Sequence, residues 1–218
     1  MSACCSGPCA AIEEQFDARR AQRELAQYRK KGPGPTTRML RDGVTAVVQP
    51  IRTLLDVGAG IGALTFDLLE RGAGRAVSVD ASPASVAAGR EEAARRDRAP
   101  RVEWVQGDYV ALADGLPSAD VVTLDRVVCC YPRYEPLLRP AARHALRCIA
   151  LSYPRDAWFI RMALAGENAL RKLRGRAFRT VVHPPREMEG LIRSEGFALS
   201  SRRTTRVWCV DVYLRVGA

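Results

Sequence analysis

The sequence predicts an α/β fold in which a mostly parallel sheet carries helices on both faces. Three observations predict it. Short apolar runs alternate with helical patterns from residue 52 onward, one run delivers a glycine-rich loop into a helix, and aspartates recur where successive strands end. At 218 residues, 47% hydrophobic and 27% charged, the chain is long enough for one domain with a sizeable core. No run approaches the roughly 20 apolar residues that span a bilayer. Residues 1–10 lack the charged and apolar regions of a secretory signal, so a cytoplasmic location is expected.

Residues 11–30 read as a polar helix with sparse apolar positions, Ile12, Phe16, Leu25 and Tyr28. Gly32-Pro33-Gly34-Pro35 cannot continue it, because proline lacks the donor and glycine adds backbone freedom. Thr36 or Thr37 can cap the next helix, in which Leu40, Val44, Val47 and Val48 recur at helical spacing until Pro50. Residues 1–50 are therefore expected to form a helical arm or lid, and residues 51–218 the core. In the core, 53–57 reads as a buried strand, followed by the glycine loop and a helix over 63–71. A second strand at 76–79 leads to an alanine-rich helix at 83–96, and strands at 102–105, 121–124 and 149–152 complete the series before Pro154. Residues 156–173 form an amphipathic helix with Trp158, Phe159, Met162, Ala165, Ala169, Leu170 and Leu173 on one face, part of a lid insertion over about 155–183. A short strand is expected at 178–182, a helix at 185–195, and two β-rich runs around 202–205 that pair antiparallel.

The seven cysteines, Cys4, Cys5, Cys9, Cys129, Cys130, Cys148 and Cys209, are odd in number and scattered, which argues for reduced thiols. Their spacing matches no standard zinc site, and no metal is expected. The formal charge is +10, carried by 31 arginines and 3 lysines spread along the chain. One cluster, Arg171, Lys172, Arg174, Arg176 and Arg179, reads as a solvated helix end or as an electropositive rim for an anionic substrate or lipid headgroups. A peripheral membrane contact is one expectation from it. Nucleic acid is not favoured, given 6% aromatic residues and no appended RNA-binding module.

The loop Asp56-Val-Gly-Ala-Gly-Ile-Gly62 joins a strand to a helix N-terminus, where glycines allow close backbone approach to a ligand. Its glycines also satisfy the G-x-G-x-x-A pattern of nicotinamide enzymes, so they leave the cofactor open. The neighbours select S-adenosyl-L-methionine (SAM). Asp56 stands where a carboxylate can orient the amino group of a methionine moiety, and Asp80 where one can accept hydrogen bonds from ribose hydroxyls. Gly107-Asp108 and Asp125 follow the third and fourth strands, facing adenine and methyl group. The expected cofactor contacts are Asp56, Gly58, Ala59, Gly60, Gly62, Asp80, Ala81, Ser82, Gly107, Asp108, Tyr109 and Asp125.

With these motifs, residues 51–218 resemble the class I SAM-dependent methyltransferases, and within them the magnesium-protoporphyrin IX O-methyltransferase group. The residues behind the resemblance are the arm from Phe16-Asp17 to Tyr28, Leu55-Asp-Val-Gly-Ala-Gly-Ile-Gly-Ala-Leu-Thr65, Leu69-Glu-Arg-Gly-Ala73, Val79-Asp-Ala-Ser-Pro83 and Tyr131-Pro132. The resemblance implies a Rossmann-like, seven-stranded, mostly parallel sheet with an antiparallel C-terminal strand. It also implies a tyrosine of the arm and a histidine just before the Tyr-Pro pair as catalytic aids. Tyr28 falls in step with the tyrosine, and Cys130, preceded by Cys129, occupies the histidine position. The acceptor it implies is a tetrapyrrole carboxylate.

The residues themselves leave a second acceptor class open, a thiol, sulfide or thiophilic metalloid at a cysteine-lined site, drawing on Cys129-Cys130 and on Cys4, Cys5 and Cys9. An RNA methyltransferase or a non-catalytic nucleotide binder is less expected, because Asp125-Arg-Val-Val stands where an Asn/Asp-Pro-Pro-Tyr tetrapeptide would be required.

Overall fold

The computed structural model describes residues 7–217. Helices α1 (Gly7–Gln15), α2 (Ala18–Lys31) and α3 (Pro35–Val47) precede the sheet. The expected single helix at the start is thus two. Asp17 breaks it by acting as the N-cap of α2, its carboxylate accepting the Arg20 N–H at 2.8 Å. Ala21, Leu25 and Tyr28 recur on one face of α2 and are buried, and Gly32 ends the helix with a positive φ of 70°.

Strands β1 (Thr53–Val57), β2 (Arg75–Asp80), β3 (Val102–Gln106), β4 (Ala119–Asp125), β5 (Ala145–Pro154), β6 (Phe197–Thr204) and β7 (Trp208–Arg215) form one sheet in the order β3-β2-β1-β4-β5-β7-β6. The first five are parallel, and β7 runs antiparallel to both β5 and β6. This is the seven-stranded, mostly parallel α/β sheet expected. The central strands are short, continuous apolar runs because helices cover both their faces. Helices α4 (Ala63–Glu70) and α5 (Pro83–Arg95) join α2 and α3 on one face, around Leu25, Leu40, Phe66, Val86 and Trp104. The other face is covered by α6 (Tyr109–Leu112), α7 (Glu135–His144) and α9 (Pro185–Ser194), around Leu137, Leu138, Met188 and Ile192. Helix α8 (Trp158–Leu173) lies between β5 and α9 in the chain.

Two further expectations change. Helix α7 follows β4 where none was assigned, its helical pattern broken up in the sequence by Pro136 and Pro140. The short strand at 178–182 is irregular backbone instead. Its polar groups bond elsewhere: Val181 N–H donates to the Cys129 carbonyl at 2.8 Å, and Thr180 N–H to the Asn168 side chain at 3.0 Å. Among the described residues no helix is long and apolar enough to cross a membrane.

The arm is fastened to the core by a buried carboxylate. Glu92 on α5 accepts hydrogen bonds from Arg95, Arg96 and Arg29, the last reaching over from α2 at 2.8 Å. Hydrogen bonds from Arg95 and then Arg96 and Arg29 hold the Glu92 carboxyl down at about 2 against its burial.

Candidate active site

One cavity of about 410 Å³ runs from the carboxyl ends of β1, β2 and β4 to the arm and α8. That is where ligands sit in open α/β sheets, since the strand order reverses between β1 and β4. Gly58, Ala59 and Gly60 form its wall after β1. Gly58 has φ of 66°, and a Cβ there would come within 2.3 Å of Val127, so the loop can pass beneath β4 only as glycine. Gly62 is required for another reason. A Cβ at its φ of 83° would meet Trp104 at 2.7 Å, so this glycine seats α4 on the indole rather than lining the cavity.

Asp80 ends β2 and accepts the Gly60 N–H at 2.7 Å and the Ser82 N–H at 2.8 Å. Burial pushes its carboxyl up to about 6 despite those two donors. Asp56, near the end of β1, accepts the hydroxyls of Thr65 and Thr123, both at 2.7 Å, and burial raises it to about 7. Neither carboxylate has a cationic side chain as an ion-pair partner among the described residues. Two buried acids without counter-charge make this end of the cavity complementary to a positively charged ligand. Asp125, at the end of β4, accepts hydroxyls from Thr37 and Ser152 at 2.6 Å each and also lines the cavity.

Ala81, Gly107 and Tyr109 line the cavity as well, and the Tyr109 hydroxyl is 2.7 Å from His144 Nδ1. Ser82 and Asp108 stand behind it. The Ser82 hydroxyl donates to the Phe16 carbonyl at 2.6 Å, tying the arm down beside Asp80. Asp108 caps α6 and accepts the Tyr131 hydroxyl at 2.7 Å.

The end of the cavity toward the arm and α8 differs from the sequence expectation. Tyr28 does not line the cavity: its ring is stacked against Phe66 at 6.4 Å, with the Arg96 guanidinium 4.8 Å from its centroid, and burial pushes its hydroxyl up. The arm reaches the cavity through Phe16, Arg20 and Glu24 instead. Across from them stand Phe178, Arg171 and Glu167 of the segment containing α8. The two groups are built alike. Arg20 lies over Phe16 at 4.3 Å and pairs with Glu24, while Arg171 lies over Phe178 at 5.1 Å and pairs with Glu167. Phe16 and Phe178 meet edge to face at 5.9 Å, and Arg176 reaches Glu14 at 3.3 Å, so arm and insertion close on each other.

Cys129 and Cys130 occupy a one-turn 3₁₀ segment (Val128–Cys130) after β4. Both thiols are 3.5 Å from the Arg126 carbonyl, and both residues line the cavity, Cys130 being the more accessible. Hydrogen bonding between the two thiols holds Cys130 below the usual thiol range and pushes Cys129 up, with burial adding to the rise. His183 fixes this turn from behind, its Nε2–H donating to the carbonyls of Val128 at 3.2 Å and Tyr131 at 3.0 Å. Cys4 and Cys5 lie outside the described residues, and Cys9 is described only as part of α1.

Phe16, Arg20, Thr37 and Phe178 were not assigned to the site from the sequence. Each comes to the site by a contact between segments far apart in the chain.

Residues 54–150 match the family described as a methyltransferase domain. A ubiquinone/menaquinone biosynthesis C-methyltransferase of Cereibacter sphaeroides is 32% identical over 96 residues, 44% of this chain and 38% of that protein. A ribosomal protein L11 methyltransferase of Burkholderia mallei is 39% identical over 64 residues, 29% of this chain and 21% of that protein. The chain thus spans well under half the length of the curated relatives it matches. Among solved structures, a magnesium protoporphyrin IX methyltransferase from Synechocystis, with SAH bound, superposes with a TM-score of 0.71 at 17% identity over 95% of this chain and 99% of that one. An O-methyltransferase family protein from Burkholderia thailandensis gives a TM-score of 0.73 at 20% identity over 94% of this chain and 63% of that one. At these identities the likeness is one of fold.

Proposed function

We propose that this chain is a SAM-dependent methyltransferase acting on a small molecule, and that its acceptor is a carboxylate of a large aromatic compound of the tetrapyrrole type. The observation that carries the reading is the single cavity that joins Asp56 and Asp80 to the Phe16–Phe178 chamber with its two arginines. The methyltransferase domain at 54–150 and the fold neighbours support the reaction class.

SAM fits the donor end by charge. Asp56 and Asp80 are buried carboxylates raised by desolvation, and a ligand carrying a sulfonium and an ammonium supplies the positive charge that their surroundings lack. Asp80 would receive the ribose hydroxyls, Asp56 the ammonium, and the backbone of Gly58–Gly60 the space beside them. The cofactor supplies an electrophilic methyl group.

The protein's own part is positioning and exclusion of water. A carboxylate acceptor is ionised at neutral pH and needs no base. Arg20 and Arg171 hold such an anion, while Phe16, Phe178 and Ile160 provide apolar wall for a flat ring system. Cys130 stands beside the acceptor as a contact residue. Tyr28, whose ring is outside the cavity, serves the packing of the arm. The second reading, a thiol, sulfide or metalloid acceptor, rests on Cys129 and Cys130 lining the same cavity.

Incubation with methyl-labelled SAM and a panel of protoporphyrins, thiols, sulfide, arsenite and RNA tests the proposal. The expected product is a porphyrin methyl ester. Label on sulfur or arsenic alone would move the assignment to the second reading, and label on RNA alone would remove both.

A further inference from the structure

Helix α8 turns one face to the cavity and a separate apolar face away from it. At 100° per residue, Ile160, Ala163, Leu164, Glu167 and Arg171, which line the cavity, occupy an arc of about 100°. Trp158, Phe159, Met162, Leu170 and Leu173 occupy a separate arc of about 120° that faces outward. Trp158 is 78%, Met162 67% and Leu173 85% exposed. A contiguous stripe of this kind on an amphipathic helix marks a binding surface rather than scattered surface residues.

The stripe is set among basic side chains. Residues 155–179 hold seven arginines or lysines against two carboxylates. Some are engaged within the protein, Arg161 with Asp156 and Arg171 with Glu167. Lys172 and Arg174, exposed at the end of the stripe, have no ion pair among the described residues.

We propose that the outward face of α8 docks on an anionic lipid bilayer, with Trp158, Met162, Leu170 and Leu173 entering the interface and Lys172 and Arg174 meeting the headgroups. Charge selects this occupant. A second copy of the chain would bring the same cationic collar against itself, on a protein already at +10. A lipid surface offers apolar depth and negative charge together, which is what a helix with an apolar stripe and basic flanks binds.

Co-sedimentation with vesicles tests the surface with neither SAM nor acceptor present, so its result is separate from that of the methyl-transfer reading. The expected outcome is partition onto phosphatidylglycerol-containing vesicles, weak partition onto pure phosphatidylcholine, and a blue shift of tryptophan emission that Trp158→Phe removes. The double variant Met162→Glu, Leu173→Glu should lower partition at least about ten-fold, and Lys172→Glu, Arg174→Glu should abolish the preference for anionic lipid. These positions are solvent-exposed, and circular dichroism checks that the variants fold. No partition of the parent protein, or equal partition of the apolar-face variant, overturns the proposal. So does a dimer in sedimentation velocity that Met162→Glu, Leu173→Glu dissolves, which would assign the face to a second copy.

Discussion

The carboxylate of Asp80 holds the backbone N–H of Gly60 at 2.7 Å, so the residue that ends β2 also sets the shape of the loop that leaves β1. Asp80→Ala removes a ligand contact and a loop support together. SAM affinity measured by calorimetry should fall at least about ten-fold, some 1.4 kcal/mol. Asp80→Asn, which keeps an acceptor for one of the two N–H groups, should lose less.

Asp56 gives a prediction in pH. Its carboxyl is raised from the ordinary 3.8 to about 7 by burial, so between those values the folded chain binds more protons than the unfolded one. Stability contributed by the protonated group is fully present below about 3.8 and is lost as pH rises through about 7. Without cofactor, Asp56→Asn should therefore raise the melting temperature relative to the parent at pH 8 more than at pH 5, while weakening SAM binding. An equal effect at both pH values would show that Asp56 does not titrate in this range.

Glu92 has the opposite sign. Its carboxyl is held at about 2, below the ordinary 4.5, by three arginines. The stability it supplies is present above about 4.5 and lost as pH falls toward about 2. Glu92→Gln should destabilise at pH 7 and lose its difference from the parent on acidification, as read by urea melts at the two extremes.

For the two cysteines the expected effects separate. Cys130→Ala should lower turnover at least about ten-fold, some 1.4 kcal/mol, with SAM affinity nearly unchanged. Cys129→Ala, a truncation at a buried site, should instead lower the melting temperature.

Arg20→Ala and Arg171→Ala should each raise KM for an anionic acceptor by about ten- to a hundred-fold, some 1.4 to 2.8 kcal/mol, with smaller changes in kcat. An uncharged acceptor analogue should not register either change.

The sheet was legible because continuous apolar strands and a glycine loop are local patterns. The aspartates ending β1, β2 and β4 were legible for the same reason: each is placed by its own strand. The bond from Tyr131 to Asp108 was not, since the two lie 23 residues apart. Asp17 was hidden in a polar run that reads as one helix, and its capping role shows only from the turn it makes. Pro136 and Pro140 concealed α7. Phe16, Arg20, Arg171 and Phe178 meet across more than 150 residues of chain, a distance over which neither periodicity nor spacing carries information.

The cavity draws its two ends from different stretches of chain. Asp56, Gly58, Gly60, Asp80 and Asp125 fall inside the segment 54–150, whereas Phe16, Arg20, Arg171, Phe178 and Trp208 fall outside it. The proposed donor end thus lies within the segment that matches the methyltransferase-domain family, and most of the proposed acceptor chamber is built outside it. A graft follows as the engineering counterpart. Exchanging the arm and the α8 insertion between two such chains should transplant the choice of acceptor while leaving the grip on the donor in place.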